Sequence, residues 1–185
     1  VCDKVSLWAN GDFYVELDHK AGVMDSSKNW IVPIEFDEVV QIRLNNERYP
    51  VMFRGYKVMR NGRWGLYAEG RQKIPAKYRQ LMIMEVWSFN WYKAQNENGS
   101  WCLLDENGKK ISDTYEEMGT YSAIVDRMAV KNKGKWGFVD SKGKVQIACK
   151  YAEVQEFHYV NGLSLVKDGN RSFYVDCSGT EYYAN

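Results

Sequence analysis

An all-β fold of tandem antiparallel modules is what this 185-residue sequence predicts, on three observations. A tryptophan-centred motif returns at Trp64, Trp101 and Trp136, 37 and then 35 residues apart, and a period of this length marks a stacked repeat. Val145, Ile147 and Cys149 alternate with Gln146, Ala148 and Lys150, the period of two that buries one face of a strand. Asn61-Gly62 and Lys133-Gly134 stand just before the motif between apolar residues, where a two-residue hairpin turn requires positive φ.

The motif reads Asn61-Gly62-Arg63-Trp64-Gly65-Leu66-Tyr67, then Asn98-Gly99-Ser100-Trp101-Cys102-Leu103-Leu104-Asp105, then Lys133-Gly134-Lys135-Trp136-Gly137-Phe138-Val139-Asp140. Related stretches, Lys20-Ala21-Gly22-Val23-Met24-Asp25 and Arg171-Ser172-Phe173-Tyr174-Val175-Asp176, flank these. One slot therefore has five occupants: Ala21, Trp64, Trp101, Trp136 and Ser172. Gly70, Gly108, Gly143 and Gly179 follow it in phase, and so do the aromatics Phe36, Tyr78, Tyr115 and Tyr151. Asp25, Asp105, Asp140 and Asp176 recur as well, which predicts turns whose carboxylate accepts backbone N–H groups. The organisation expected is one repeat-array domain over 1–185, with units near 20–57, 58–95, 96–131 and 132–167 and partial units at 1–19 and 168–185.

Three strands are expected per unit. The first runs from the slot to the Asp, the second follows the phased Gly, and the third, such as Leu163 to Lys167, leads into the next hairpin. The segment between the second and third, such as Tyr115-Glu116-Glu117-Met118, reads as a single helical turn. In the slot strand Trp136 and Phe138 point one way and Val139 the other, while Gly137 lets another chain approach, so the strand is central. Three short strands cannot bury such surface alone, and neighbouring units must cover it. Trp136→Ala is accordingly expected to cost about 3–5 kcal/mol. Ala21 and Ser172 at the outer slots suit terminal units with less to pack against. An open twisted array is favoured over a propeller-like closed ring, because a propeller blade has four strands and about 40 or more residues.

The stretch Gly134-Lys135-Trp136-Gly137-Phe138-Val139-Asp140-Ser141-Lys142-Gly143-Lys144 resembles the repeat of the WG-repeat (KWG) family, tandem modules found mostly in bacteria. Trp64-Gly65 carries both signature letters, Cys102 replaces the Gly of the next copy, and Ala21 and Ser172 replace the Trp of the outer ones. The resemblance spans nearly the whole chain and implies an interaction module.

Composition narrows the chemistry. Lys and Arg number 25 and Asp and Glu 24, a net charge of +1, so no field gathers nucleic acid. The longest apolar runs span only a few residues against the about 20 of a membrane helix, and no membrane span is expected. Cys2, Cys102, Cys149 and Cys177 lack C-x-x-C spacing and read as small hydrophobes. His19 and His158 are too few for a metal centre or a Cys-His nucleophile. Glu35, Asp37 and Glu38, Glu116 and Glu117, and Glu153 and Glu156 recur at one phase, as solvated loops would. A glycosidase would need two of them about 5–9 Å apart across a cleft. Lys131, Lys133 and Lys135 read as a solvated hairpin tip. No catalytic residue, metal ligand or cofactor is expected.

The segment Val86-Trp87-Ser88-Phe89-Asn90-Trp91-Tyr92 departs from the repeat. On a strand, Trp87, Phe89 and Trp91 share a face at about 6.7 Å intervals, and with Tyr92 they are the candidate binding residues. The competing reading turns the row into the core. The function expected is non-enzymatic binding, with a protein as partner. The alternative is a carbohydrate-binding module of a secreted or cell-envelope protein. The chain opens on Val1 rather than Met, which leaves the compartment open, a secreted or envelope setting being favoured over the cytoplasm.

Overall fold

The computed structural model describes residues 2–46, 49–86, 89–158 and 160–183, with 43–46, 49–54, 85–86 and 89–90 described by their backbone alone. The regular elements among the described residues are β-strands, and all described pairings are antiparallel. The chain divides into two compact units, Val1–Leu81 and Met82–Asn185. The first unit holds two four-stranded sheets. One is β1 (Lys4–Leu7), β2 (Phe13–Leu17), β3 (Lys20–Met24) and β4 (Trp30–Phe36), and the other is β5 (Glu38–Asn46), β6 (Tyr49–Arg60), β7 (Arg63–Ala68) and β8 (Arg71–Tyr78). The third sheet is three-stranded: β9 (Gln80–Val86), which starts at the boundary, β10 (Phe89–Gln95) and β11 (Trp101–Leu104). The fourth comprises β12 (Glu117–Ser122), β13 (Arg127–Asn132), β14 (Lys135–Val139) and β15 (Val145–Tyr151), and the fifth β16 (Glu153–Val154), β17 (Leu163–Asp168), β18 (Arg171–Asp176) and β19 (Glu181–Tyr182).

The expected antiparallel β modules are therefore present, but among the described residues four of the five sheets contain four strands rather than three. The extra strand comes from the segment read as a helical turn. After Phe36, Tyr115 and Tyr151 the chain bends at a single residue and starts a new sheet. The bend N–H donates to the strand that follows: Asp37 to the Met59 carbonyl at 2.8 Å, Glu116 to Lys131 at 2.9 Å and Ala152 to Lys167 at 2.7 Å. Glu38, Glu117 and Glu153 then open β5, β12 and β16. Charged side chains suit such a sheet edge, where one face stays in water.

The slot hairpins obey the turn chemistry of their residues. Asn61-Gly62 and Lys133-Gly134 take φ of 52° and 70°, and 51° and 73°, joining strands paired at Arg60–Arg63 and Asn132–Lys135. The phased Asp turns follow one plan. Asp140 Oδ1 accepts the N–H groups of Lys142 and Lys144, both at 2.9 Å, and Asp176 Oδ1 those of Ser178 and Thr180 at 2.9 Å. Asp105 does the same for Asn107 and Lys109. In the second sheet Ala68 occupies the Asp position, and a tight turn through Glu69-Gly70 replaces the longer loop.

The slot glycine is a matter of space. In three sheets the strand after the slot carries extra residues that bulge over it: Trp136 and Phe138 pair with Tyr151 and Ile147, Trp64 and Leu66 with Tyr78 and Ile74, Ala21 and Val23 with Phe36 and Val32. A Cβ at Gly137 would lie 2.5 Å from the Ile147 carbonyl oxygen. Where Cys102 stands instead, the sheet has three strands among the described residues, and isolated bridges occur at Trp101–Tyr115 and Leu104–Lys110.

Within each unit successive sheets pack face to face, and the fourth sheet is covered on both faces. Ala21, Val23, Val32 and Phe36 of the first sheet pack on Val39, Tyr56 and Val58 of the second. In the second unit Trp91, Leu103 and Tyr115 pack on Met118, Met128, Val130 and Val139 of the fourth sheet. The fourth sheet's other face, with Ala129, Phe138, Ile147 and Tyr151, packs on Phe157, Val166, Phe173 and Val175.

Candidate functional site

The aromatic row expected to bind is in part buried. Trp91 is only 3% exposed within the core between the third and fourth sheets, where its ring meets Tyr121 edge to face at 5.1 Å. Tyr92 is also buried, on the opposite face of β10. Neither offers a surface to a ligand, and for Trp91 the alternation that spaces the row also turns it toward the fourth sheet. Trp87 and the side chain of Phe89 lie outside the described residues. The Trp91 Nε1 and the Tyr115 hydroxyl are buried without a hydrogen-bond partner among the described residues, and burial first, then Asp113, pushes the Tyr115 phenol up to about 12.

The slot tryptophans are half-buried, with a lysine from the preceding strand over each indole: Lys57 over Trp64 at 3.9 Å, Lys93 over Trp101 at 4.7 Å and Lys131 over Trp136 at 5.5 Å. Burial lowers the pKa of Lys57 and Lys93, as expected of an ammonium withdrawn from water. Lys93 also donates to the carbonyl oxygens of Met118 and Gly119. Lys131 is instead raised by its hydrogen bond to Glu117, at 2.7 Å. It is thus tied into the sheet, unlike the solvated tip expected of it.

The grouped carboxylates serve the architecture. Asp37 accepts the Asn61 N–H and pairs with Lys20, Glu35 pairs with Arg60, and Glu153 pairs with Lys167 at 3.1 Å. Glu116 Oε2 accepts the Gly134 N–H at 3.0 Å, bracing the slot hairpin from the bend of its own sheet. No group of His, Cys, Asp and Glu that could hold a metal occurs among the described residues.

What stays open is apolar sheet surface. On the fifth sheet Leu165, Tyr174 and Tyr182 are direct cross-strand partners and so share one face. Tyr174 and Tyr182 are 48% and 49% exposed, and the Tyr182 hydroxyl donates to Asp176 at 3.0 Å. On the first sheet Leu7, Phe13, Met24 and Trp30 form a row across all four strands. Leu7 and Trp30 are 66% and 46% exposed, and Val5 beside them is exposed too. Sequence reasoning passed over both rows. The signal was there in Tyr174, an aromatic on a slot strand whose slot residue is the small Ser172.

The sequence model of the WG containing repeat matches residues 22–56 and 136–171, consistent with a WG-repeat family. Each matched stretch starts on the slot strand of one sheet and passes through the bend into the next sheet, ending on its second strand at 56 and at the start of its third at 171. No curated protein matches the chain. Among solved structures, the chain is similar to the WD40 domain of SCAP from fission yeast, with a TM-score of 0.44 at 10% identity over 95% of this chain and 56% of that one. It is also similar to the complex of the fission yeast SREBP–SCAP binding domains, with a TM-score of 0.33 at 9% identity over 95% and 61%. The chain thus spans less than two thirds of the length of these solved chains.

Proposed function

We propose that this chain of WG-containing repeats is a non-enzymatic module that binds another protein, through the open face of its fifth sheet. The observation that supports this is the row Leu165, Tyr174 and Tyr182, which leaves two aromatic rings about half exposed on a regular sheet surface. Tyrosine suits such a role because it offers a large apolar body, a hydroxyl for hydrogen bonding and little rotamer entropy to lose. The non-enzymatic part is supported by the grouped carboxylates, which are engaged within the sheets: Asp37 by the Asn61 N–H and Lys20, Glu35 by Arg60, Glu116 by the Gly134 N–H and Glu153 by Lys167.

A photo-cross-linking amino acid placed at Tyr174 in the producing cell tests the reading, with the same probe at the exposed turn residue Glu106 as control. Covalent protein adducts at 174 and none at 106 are expected. Absence of protein adducts at 174, together with oligosaccharides that shift the intrinsic tryptophan fluorescence, would replace the protein partner by a carbohydrate.

A further inference from the structure

We infer that copies of this chain associate head to tail, the open face of the fifth sheet in one copy being covered by the open face of the first sheet in the next. The inference rests on the protein-binding reading and names the partner.

The argument comes from what covers the same face inside the chain. Aligned on the slot, Leu165, Tyr174 and Tyr182 of the fifth sheet correspond to Ala129, Phe138 and Ile147 of the fourth, since each trio is a cross-strand row. The fourth-sheet row is covered by Val166, Phe173 and Val175, which lie on the opposite face of the fifth sheet. On the first sheet the positions equivalent to these three are Val15, Gly22 and Met24. Val15 and Gly22 are buried on that face, Gly22 beneath the backbone of Val32 and Ile34, and Met24 joins Leu7, Phe13 and Trp30 in the row beside them. One open face thus has the pattern that a following sheet covers, and the other has the pattern that does the covering. The first contact repeats an interface the second unit builds between its third and fourth and its fourth and fifth sheets.

The two faces differ, so the association is heterologous, and copies add in one direction into a ring or a filament. Hydrophobic burial is the driving force. On the fifth-sheet face the Tyr182 hydroxyl is already held by Asp176.

Sedimentation equilibrium on the purified chain, from about 1 µM to about 1 mM, tests this, a span that reaches weak transient interfaces. Concentration-dependent species larger than a dimer are expected. Leu7→Glu on the first sheet and Tyr174→Glu on the fifth should each weaken association by at least about tenfold. Both side chains are exposed, so the variants should fold, with circular dichroism as the check. Val160→Glu, at an exposed loop position, should leave association unchanged. A mixture of the Leu7→Glu and Tyr174→Glu variants keeps one intact face on each copy and should give a discrete dimer and nothing larger. A chain that stays monomeric to the highest concentration, a single variant without effect, or a mixture that forms no dimer overturns the inference. If adducts at Tyr174 then still contain other proteins, the protein-binding reading survives the loss of this partner. If no adducts form either, both fall.

Discussion

A methyl group added at Gly137 would stand 2.5 Å from the Ile147 carbonyl oxygen and 2.6 Å from the Cys149 nitrogen. Both atoms are backbone in the bulged strand β15, so relief requires the strand to move. Gly137→Ala is expected to cost about 2–4 kcal/mol, at or above the upper end for overpacked sites. Gly134→Ala makes a contrast, because nothing lies within 4 Å of its Cβ position and only its φ of +73° opposes a side chain; about 1–2 kcal/mol is expected. Urea unfolding of both variants checks the order, and equal losses would mean that space at Gly137 is not limiting. Asp176 carries the acid dependence of its turn. Its pKa is lowered first by the Ser178 hydroxyl and also by the Thr180 N–H and the Tyr182 hydroxyl. Glu181 is held near about 2, first by Lys150 and then by the Tyr183 hydroxyl. A carboxylate lowered on folding contributes stability above its unfolded pKa of about 4, and that contribution is lost as pH falls toward the folded value. Urea midpoints should therefore decline from about pH 4 downward, and more gently in Asp176→Asn, whose amide oxygen still accepts the turn N–H groups.

At the scale of the strand, the slot tryptophan is less central than its place in the motif suggests. Trp136 is half-buried at the rim of the core, with Lys131 above its ring, whereas Phe138 two residues on is 1% exposed at the centre. Phe138→Ala is expected to cost about 3–5 kcal/mol and Trp136→Ala only about 2–3 kcal/mol, measured as shifts in urea midpoint at constant slope. A larger loss at Trp136 would reverse their roles. The slot strands, their hairpins and the Asp turns were legible in the sequence because each depends on one or two residues with fixed backbone demands, such as Asn61-Gly62 or Asp140. The fourth strand was not. Glu117 to Ser122 shows no clean alternation, and its start depends on a hydrogen bond from the Glu116 bend to Lys131, a residue fifteen positions away. The burial of Trp91 was not legible for a related reason. Trp91 alternates properly, but nothing local says whether its face meets water or the next sheet, and the residues that cover it, Met118 and Val130, belong to another sheet.

For the whole molecule, stability should scale with the number of sheet-on-sheet contacts. In a repeat protein each sheet contributes an intrinsic term and each contact with a neighbour another. The unit Val1–Leu81 contains one such described core, between its first and second sheets. The unit Met82–Asn185 contains two, on either face of the fourth sheet. Chains of about 80 residues with a single core are marginal, so the two units should differ when separated. A break between Arg79 and Gln80 leaves β9 whole. Fragment 80–185 should unfold in one cooperative transition at a clearly higher urea midpoint than fragment 1–79, with a steeper slope from the larger surface it exposes. Equal midpoints would mean that stability resides within single sheets, and the contacts between sheets would then set order without setting strength.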